Sequence, residues 1–396
     1  MSEQLSQQIE QTKQSKPFIQ KCQLPLQTGN FIAAFMVWVI LSSLLPFISE
    51  DIALTETMRA WVIAIPVVLG SALRIPFGYL AGKYGARIIY IISFCVLCFP
   101  IFFLSESSTP RDLIIGGAFL GVAGAVFSIG VTSLPRYYPK NRQGFVNGVY
   151  GFGNVGTAVT TFGAPVLVLL FGWSITIKLY LILVLCMVAI NFVLGDRHEQ
   201  KITTPITTQF KEIGGDFRLW AYALFYFITF GAFVAFSIMM PSFLKGHFAL
   251  DGVSANWATG VFILLAASLR IVGGWLADRG NPHRLLVVVF AGMGVAAVIL
   301  ATLPALPLFL GSLYVVSVFC GLGNGIVFKL VPTTFPNQVG TANGFVAMVG
   351  GFGGFFPPLV LSALLAATNS YTPGFMLYVV FIGACLVANF ILMKKQ

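Results

Sequence analysis

Leu73-Arg74-Ile75-Pro76-Phe77-Gly78-Tyr79-Leu80-Ala81-Gly82-Lys83 has a second, altered copy in Leu269-Arg270-Ile271-Val272-Gly273-Gly274-Trp275-Leu276-Ala277-Asp278-Arg279. Arg270 follows Arg74 by 196 residues, close to half of the 396-residue chain. Each copy sets one arginine inside a strongly apolar segment. An arginine in hydrocarbon costs a few kcal/mol or more, so it reads first as functional. A repeated, permanently cationic group at membrane depth points to a site for a small anion.

Composition makes the bilayer the solvent. The chain is 57% hydrophobic and 9% charged, with mean hydropathy +0.89. A soluble domain carries roughly 25% charged residues. Many continuous apolar runs reach 18 residues, the length that spans as a helix, and they do not alternate as barrel strands do. Forty-one glycines and twenty prolines suit packed, kinked membrane helices. The net charge of +10 could point to nucleic acid, but its placement argues against that. Sixteen of 23 Lys/Arg fall in the termini and alternate loops, four (Arg59, Arg111, Lys178, Lys245) in the opposite loops, and three (Arg74, Arg270, Lys329) within spans. This bias puts both termini in the cytoplasm. The expected location is the cell (inner) membrane, multi-pass.

Hydropathy gives twelve spans, at about 28–48, 58–81, 86–105, 112–135, 143–170, 174–195, 218–244, 253–278, 284–304, 306–332, 339–366 and 373–393. Residues 1–27 read as a polar, disordered cytoplasmic tail without a secretory signal, so the first span serves as an uncleaved insertion signal. The polar loop 196–217 reads as a cytoplasmic linker between bundles at 28–195 and 218–396. The halves echo each other elsewhere: Asn147-Gly148 matches Asn343-Gly344, again 196 apart. The expected fold is an all-α membrane protein with two pseudo-symmetric six-helix bundles, and substrate held between them near mid-membrane.

Nine residues separate Arg74 from Lys83, and nine separate Arg270 from Arg279. At helical rise each arginine lies roughly 13–14 Å from the cytoplasmic end of its helix, near the middle of the hydrocarbon. All thirteen Asp and Glu fall in loops, tails or helix ends, so no carboxylate partner is apparent. Paired guanidinium forks facing each other match a planar oxyanion. Lys329 lies about one turn before the end of the tenth span. It either snorkels to the inner surface, adds a third cation to the exit path, or carries a proton.

Other motifs give less. Cys95-x-x-Cys98 has no companion ligands and reads as packing or lipid-facing. Gly151-x-Gly153-x-x-Gly156 lacks the βαβ context of a dinucleotide site. Its small-residue spacing, like that of Gly350 and Gly353, allows close helix approach, and Asn154 offers an amide. His198, His247 and His283 lie in loops, and no convergent nucleophile, base or metal ligands occur in the spans. No enzyme, cofactor or metal is expected.

Gly274-x-Leu276-Ala277-Asp278-Arg279 resembles the loop signature of the major facilitator superfamily. The first copy, from Gly78, has Gly82 where that family has Asp. Gly153-Asn154-Val155-Gly156 and Gly350-Gly351-Phe352-Gly353-Gly354-Phe355, with the arginine stretches, resemble the nitrate/nitrite porter family within it, across essentially all twelve spans. That resemblance implies that Arg74 and Arg270 bind the anion, with Phe127, Asn154, Tyr226 and Phe230 around it. It implies gating and packing roles for Gly78, Asp278, Arg279, Gly153, Gly156, Gly350 and Gly353. The expected activity is secondary transport of nitrate or nitrite by a monomer in the bilayer, as exchanger or with protons as coupling ion. The rivals are transport of another small anion, such as formate or oxalate, and an anion sensor that moves nothing.

Overall fold

A computed structural model of the chain describes residues 18–202 and 204–394. The helices are α1 (Gln23–Asp51), α2 (Glu56–Ala72 and Arg74–Tyr84), α3 (Ala86–Ser105) and α4 (Pro110–Tyr137). The run Lys140–Leu194 holds α5 and α6. There follow α7 (Phe217–Phe248), α8 (Gly252–Arg279), α9 (Pro282–Ala301), α10 (Leu306–Thr334), α11 (Val339–Phe352 and Phe356–Thr368) and α12 (Thr372–Lys394).

Nine described helices are long and apolar enough to cross a membrane, and bent α2 makes a tenth. Gly172 divides α5 from α6 with φ 76° and ψ 163°, a backbone that side-chain-bearing residues rarely adopt. The chain folds back there: Thr160 Oγ1 lies 2.9 Å from the Tyr180 hydroxyl, whereas one straight helix would hold them roughly 30 Å apart. With α11 counted as one broken span, the set is twelve. Exposed Leu169, Val193 and Trp257 illustrate the apolar outer face.

Breaks within spans shape the interior. Pro76 has no N–H for the carbonyl of Ala72, and α2 bends by 40° at Leu73, beside Arg74. Helix α4 breaks at Val126, beside Phe127. A 3₁₀ turn, Phe152–Asn154, interrupts α5.

The halves meet at the end that carries Lys83, Arg136 and Arg279, here called the basic end. A Cβ on Gly78 would lie 2.3 Å from the Gly340 carbonyl, and one on Gly274 only 2.0 Å from that of Gly144. These crossings of α2 with α11 and of α8 with α5 are one contact repeated at the 196-residue offset. Asn343 Nδ2 donates to the Val131 carbonyl and Asn147 Nδ2 to that of Phe328, each at 2.7 Å. Toward the other end the halves part around a cavity of about 620 Å³, lined by α1, α2, α5, α7 and α8.

Of the disordered tail expected over 1–27, residues 18–21 and 23–27 are helical instead; residues 1–17 lie outside the described part. Hydropathy misses this turn because its glutamines are polar. Their side-chain amides nevertheless bond in the interior, Gln23 Nε2 donating to the Leu194 carbonyl and Gln27 Nε2 to Ser133 Oγ, each at 3.0 Å. The linker also holds a helix, Ile206–Ile213.

Candidate anion site

Two arginines and a stack of rings fill the centre between the halves. Arg74 and Arg270 are both wholly buried. Their guanidinium carbons lie 5.6 and 5.0 Å from the centroid of the same ring, Phe127. Arg74 also sits 5.0 Å from the Phe230 ring. Arg270 sits 5.7 Å from Tyr226 and 5.6 Å from Phe328. Cation–π contacts of desolvated cations are worth about 2 kcal/mol each.

The rings form an ordered box. Tyr226 and Phe230, one helical turn apart on α7, stack at 4.8 Å with planes 4° apart. Phe127 runs parallel to both, at 6.3 and 6.4 Å. Phe328 stands edge-on to Phe127 and Tyr226, at 5.0 and 4.7 Å. Tyr150 backs Phe127 at 5.8 Å, and its hydroxyl donates to the carbonyls of Val126 and Phe127 at the α4 break.

The guanidiniums are incompletely satisfied. Arg74 donates through Nε to the Gly124 carbonyl at 3.3 Å and through Nη1 to that of Ala347, in the other half, at 2.7 Å. Arg270 donates through Nη2 to the Tyr226 hydroxyl at 3.2 Å. Among the described residues, Arg74 Nη2 and Arg270 Nε and Nη1 have no hydrogen-bond partner. Among the described residues, neither arginine makes an ion pair with a carboxylate. Three unsatisfied cationic nitrogens at buried positions are expensive. An oxyanion placed between them would supply both the charge and the acceptors.

Glycines let backbone approach this box. A Cβ on Gly151 would lie 2.0 Å from Arg270 Nε, and one on Gly351 2.1 Å from Ser71 Oγ and 3.2 Å from Arg74 Nη1. A Cβ on Gly350 would lie 2.1 Å from the Tyr226 ring. Gly153 faces Phe31, Gly156 the Ile32 carbonyl, and Gly353 the carbonyl of Phe227 and the Cα of Gly231. The floor of the cavity, with Val67, Phe233 and Ile263, lies above the box, and Phe233 packs 5.9 Å from Phe230.

The structure thus brings Arg74, Arg270, Phe127, Tyr226 and Phe230 together. Asn154 is buried with an unpartnered Oδ1, and no hydrogen bond joins it to either guanidinium. Lys329 sits elsewhere, at the basic end. Its Nζ donates to Asp278 Oδ1 at 2.7 Å and to the Lys140 carbonyl. Asp278 in turn accepts the N–H groups of Gly144 at 2.9 Å and Phe145 at 2.7 Å, at the start of α5. A carboxylate is favourable at a helix N-terminus. Arg279 stacks on Trp275 at 4.1 Å. Sequence reasoning missed Phe328, Phe31, Tyr150 and the Ala347 carbonyl. The Asn147/Asn343 repeat was visible, but its pairing across the halves was not.

Two buried cations sharing an aromatic box, below a cavity between two helical halves, define a membrane carrier for a small anion. The chain matches the Major Facilitator Superfamily over residues 28–358 and 247–395. It is 50% identical over 357 residues to the nitrite extrusion protein of Bacillus subtilis (strain 168), covering 90% of each chain. It is 44% identical over 374 residues to the probable nitrate transporter NarT of Staphylococcus epidermidis, covering 94% of this chain and 97% of that protein. Two solved structures share its fold. The human organic anion transporter MFSD10 aligns with TM-score 0.77 at 12% identity, over 95% of this chain and all of that one. The Escherichia coli fucose:proton symporter FucP aligns with TM-score 0.73 at 13% identity, over 93% and 98%. The chain belongs to the major facilitator superfamily and, within it, to the family of these nitrite and nitrate transporters.

Proposed function

We propose that this protein carries nitrate and nitrite across the cell membrane by alternating access, with the anion bound between Arg74 and Arg270. The observation that carries this reading is the set of three guanidinium nitrogens beside the aromatic box that have, among the described residues, neither a hydrogen-bond partner nor a paired carboxylate. The names of the relatives, a nitrite extrusion protein and probable nitrate transporters, support the substrate class. The protein is a transporter rather than an enzyme.

The mechanism follows from charge. In the empty site two cations repel across the interface, at a cost on the order of 2 kcal/mol for an effective dielectric near 20. A bound anion removes that cost and bridges the halves, so the loaded protein closes and turns over. Flat guanidinium forks and a ring box favour a small planar oxyanion and exclude bulky solutes. By the positive-inside bias the basic end is cytoplasmic, and so are both termini. The cavity then opens outward, and the Gly78/Gly340 and Gly274/Gly144 crossings close the inner side. One chain contains both arginines, so the monomer is the working unit.

The test is counterflow in proteoliposomes loaded with nitrite and offered labelled nitrate, with and without a pH gradient. Accumulation of label without a gradient supports exchange, and accumulation only with one assigns protons as coupling ion. Formate as competitor checks selectivity. Absence of counterflow under both conditions refutes the reading.

A further inference from the structure

At the basic end the second half is fastened by its own residues. Asp278, ending α8, holds the start of α5 through two backbone N–H groups and pairs with Lys329. The 196-residue offset maps Asp278 onto Gly82 and Lys329 onto Ser133, so the first half has neither acid nor base at these places. Among the described residues, no carboxylate accepts the N–H groups of Gly340 and Thr341 at the start of α11 as Asp278 accepts those of Gly144 and Phe145.

The linker occupies that gap. Ile202 N–H donates to the Gly82 carbonyl at 2.9 Å. Glu199, 7% exposed, accepts the N–H of Ala86 at 2.8 Å, at the start of α3, and lies 3.5 Å from Arg136 Nη1. Arg136 also donates to the Gln200 carbonyl. Asp196 accepts the Tyr137 hydroxyl at 2.9 Å. The linker helix Ile206–Ile213 then reaches the other half. Gln209 Oε1 accepts Thr341 Oγ1 at 2.8 Å, Glu212 Oε2 accepts Gln338 Nε2 at 2.5 Å, and Phe210 packs 5.7 Å from Phe345. Asp196, Glu199, Gln209 and Ile213 are all buried. A passive tether needs none of this. Burying carboxylates costs several kcal/mol unless partners compensate.

We propose that the linker is the first half's gate latch: Glu199 anchors it beneath Gly82, in place of an aspartate, and Gln209 and Glu212 clasp α11. The clasp on α11 must release before the basic end opens. This rests on the alternating-access reading. Glu199 is accordingly a positioning residue for the gate and does not touch the anion.

The experiment reads gate opening directly. Thr132 is buried on α4, with its Cγ2 3.2 Å from where a Cβ on Gly340 would lie. Thr132→Cys, in a chain whose six native cysteines are replaced by alanine, reports opening by its alkylation rate with an impermeant maleimide in inside-out vesicles. Glu199→Ala is expected to raise that rate about fivefold, and so is the double variant Gln209→Ala/Glu212→Ala. Adding Gly82→Asp to Glu199→Ala is expected to restore the slow rate. A Cβ at position 82 has ordinary room, with Arg136 Nη2 3.5 Å away. Rates unchanged in both variants overturn the proposal, as does a rise that Gly82→Asp fails to reverse. The clasp variant strands no buried charge, so it decides the matter if Glu199→Ala misfolds. Alkylation needs no nitrate, so its outcome is separable from that of the counterflow assay.

Discussion

Arg270 donates to the Tyr226 hydroxyl across 3.2 Å, and that hydroxyl is its one hydrogen-bond partner among the described residues. Both residues lie in the second half, on α8 and α7. The bond holds the guanidinium over Phe127, with Nε and Nη1 left unpartnered among the described residues. Tyr226→Phe keeps the stack on Phe230 and removes only this anchor. Hydrogen bonds to charged groups are worth about 1.5–3 kcal/mol. The KM for nitrate counterflow should rise about tenfold or more, with the protein still folded.

Gly151 and Arg270 make a tighter constraint. A Cβ at 151 would stand 2.0 Å from Nε, so Gly151→Ala must push the guanidinium off the ring. Uptake should fall about a hundredfold, since a displacement near 1 Å costs that much in a positioned site. Gel filtration should find the variant monodisperse. Gly163→Ala, where nothing lies within 4 Å, is the control and should transport normally.

Asp278 and Lys329 form an ion pair whose side chains are 5% and 10% exposed. Removing one partner of a buried pair costs about 3–5 kcal/mol, because the other charge is stranded. Asp278→Asn should therefore lower the Tm in detergent markedly. Adding Lys329→Met should recover part of the loss. If the double variant is no more stable than the single one, the pair is not coupled as described.

Burial pushes the Glu199 carboxyl up from its ordinary value of 4.5, against the pull of the Ala86 N–H and Arg136. Asp196, Tyr137 and Tyr90 are further titratable groups beside it, and the Asp196 charge also raises it. The docked linker thus binds a proton more readily than an exposed glutamate does. By linkage, lowering pH through the window above 4.5 favours the docked form. Alkylation of Thr132→Cys should slow as the cytoplasmic-side pH falls toward 5, relative to a small-thiol control. Glu199→Ala should abolish that dependence.

Much of the fold was legible because hydropathy reports spans directly. Twelve apolar runs and a 196-residue echo give two six-helix halves, and the arginines stand out because hydrocarbon makes them costly. What escaped was set by tertiary contact. Phe328 is one of 38 phenylalanines, and no pattern distinguishes the one that stands edge-on to Tyr226. The acceptors of Arg74 are backbone carbonyls, which carry no sequence signal. Lys329 left its partner open on sequence alone, because Asp278 lies 51 residues away on another helix. Gln23 and Gln27 looked like tail because their buried partners come from α6 and α4.

The most direct measurement of the central claim is nitrate uptake by vesicles holding Arg74→Lys or Arg270→Lys. Lysine keeps the positive charge and loses the planar fork. The account predicts that each substitution abolishes uptake while the protein remains inserted and folded. Wild-type uptake by both variants would contradict it.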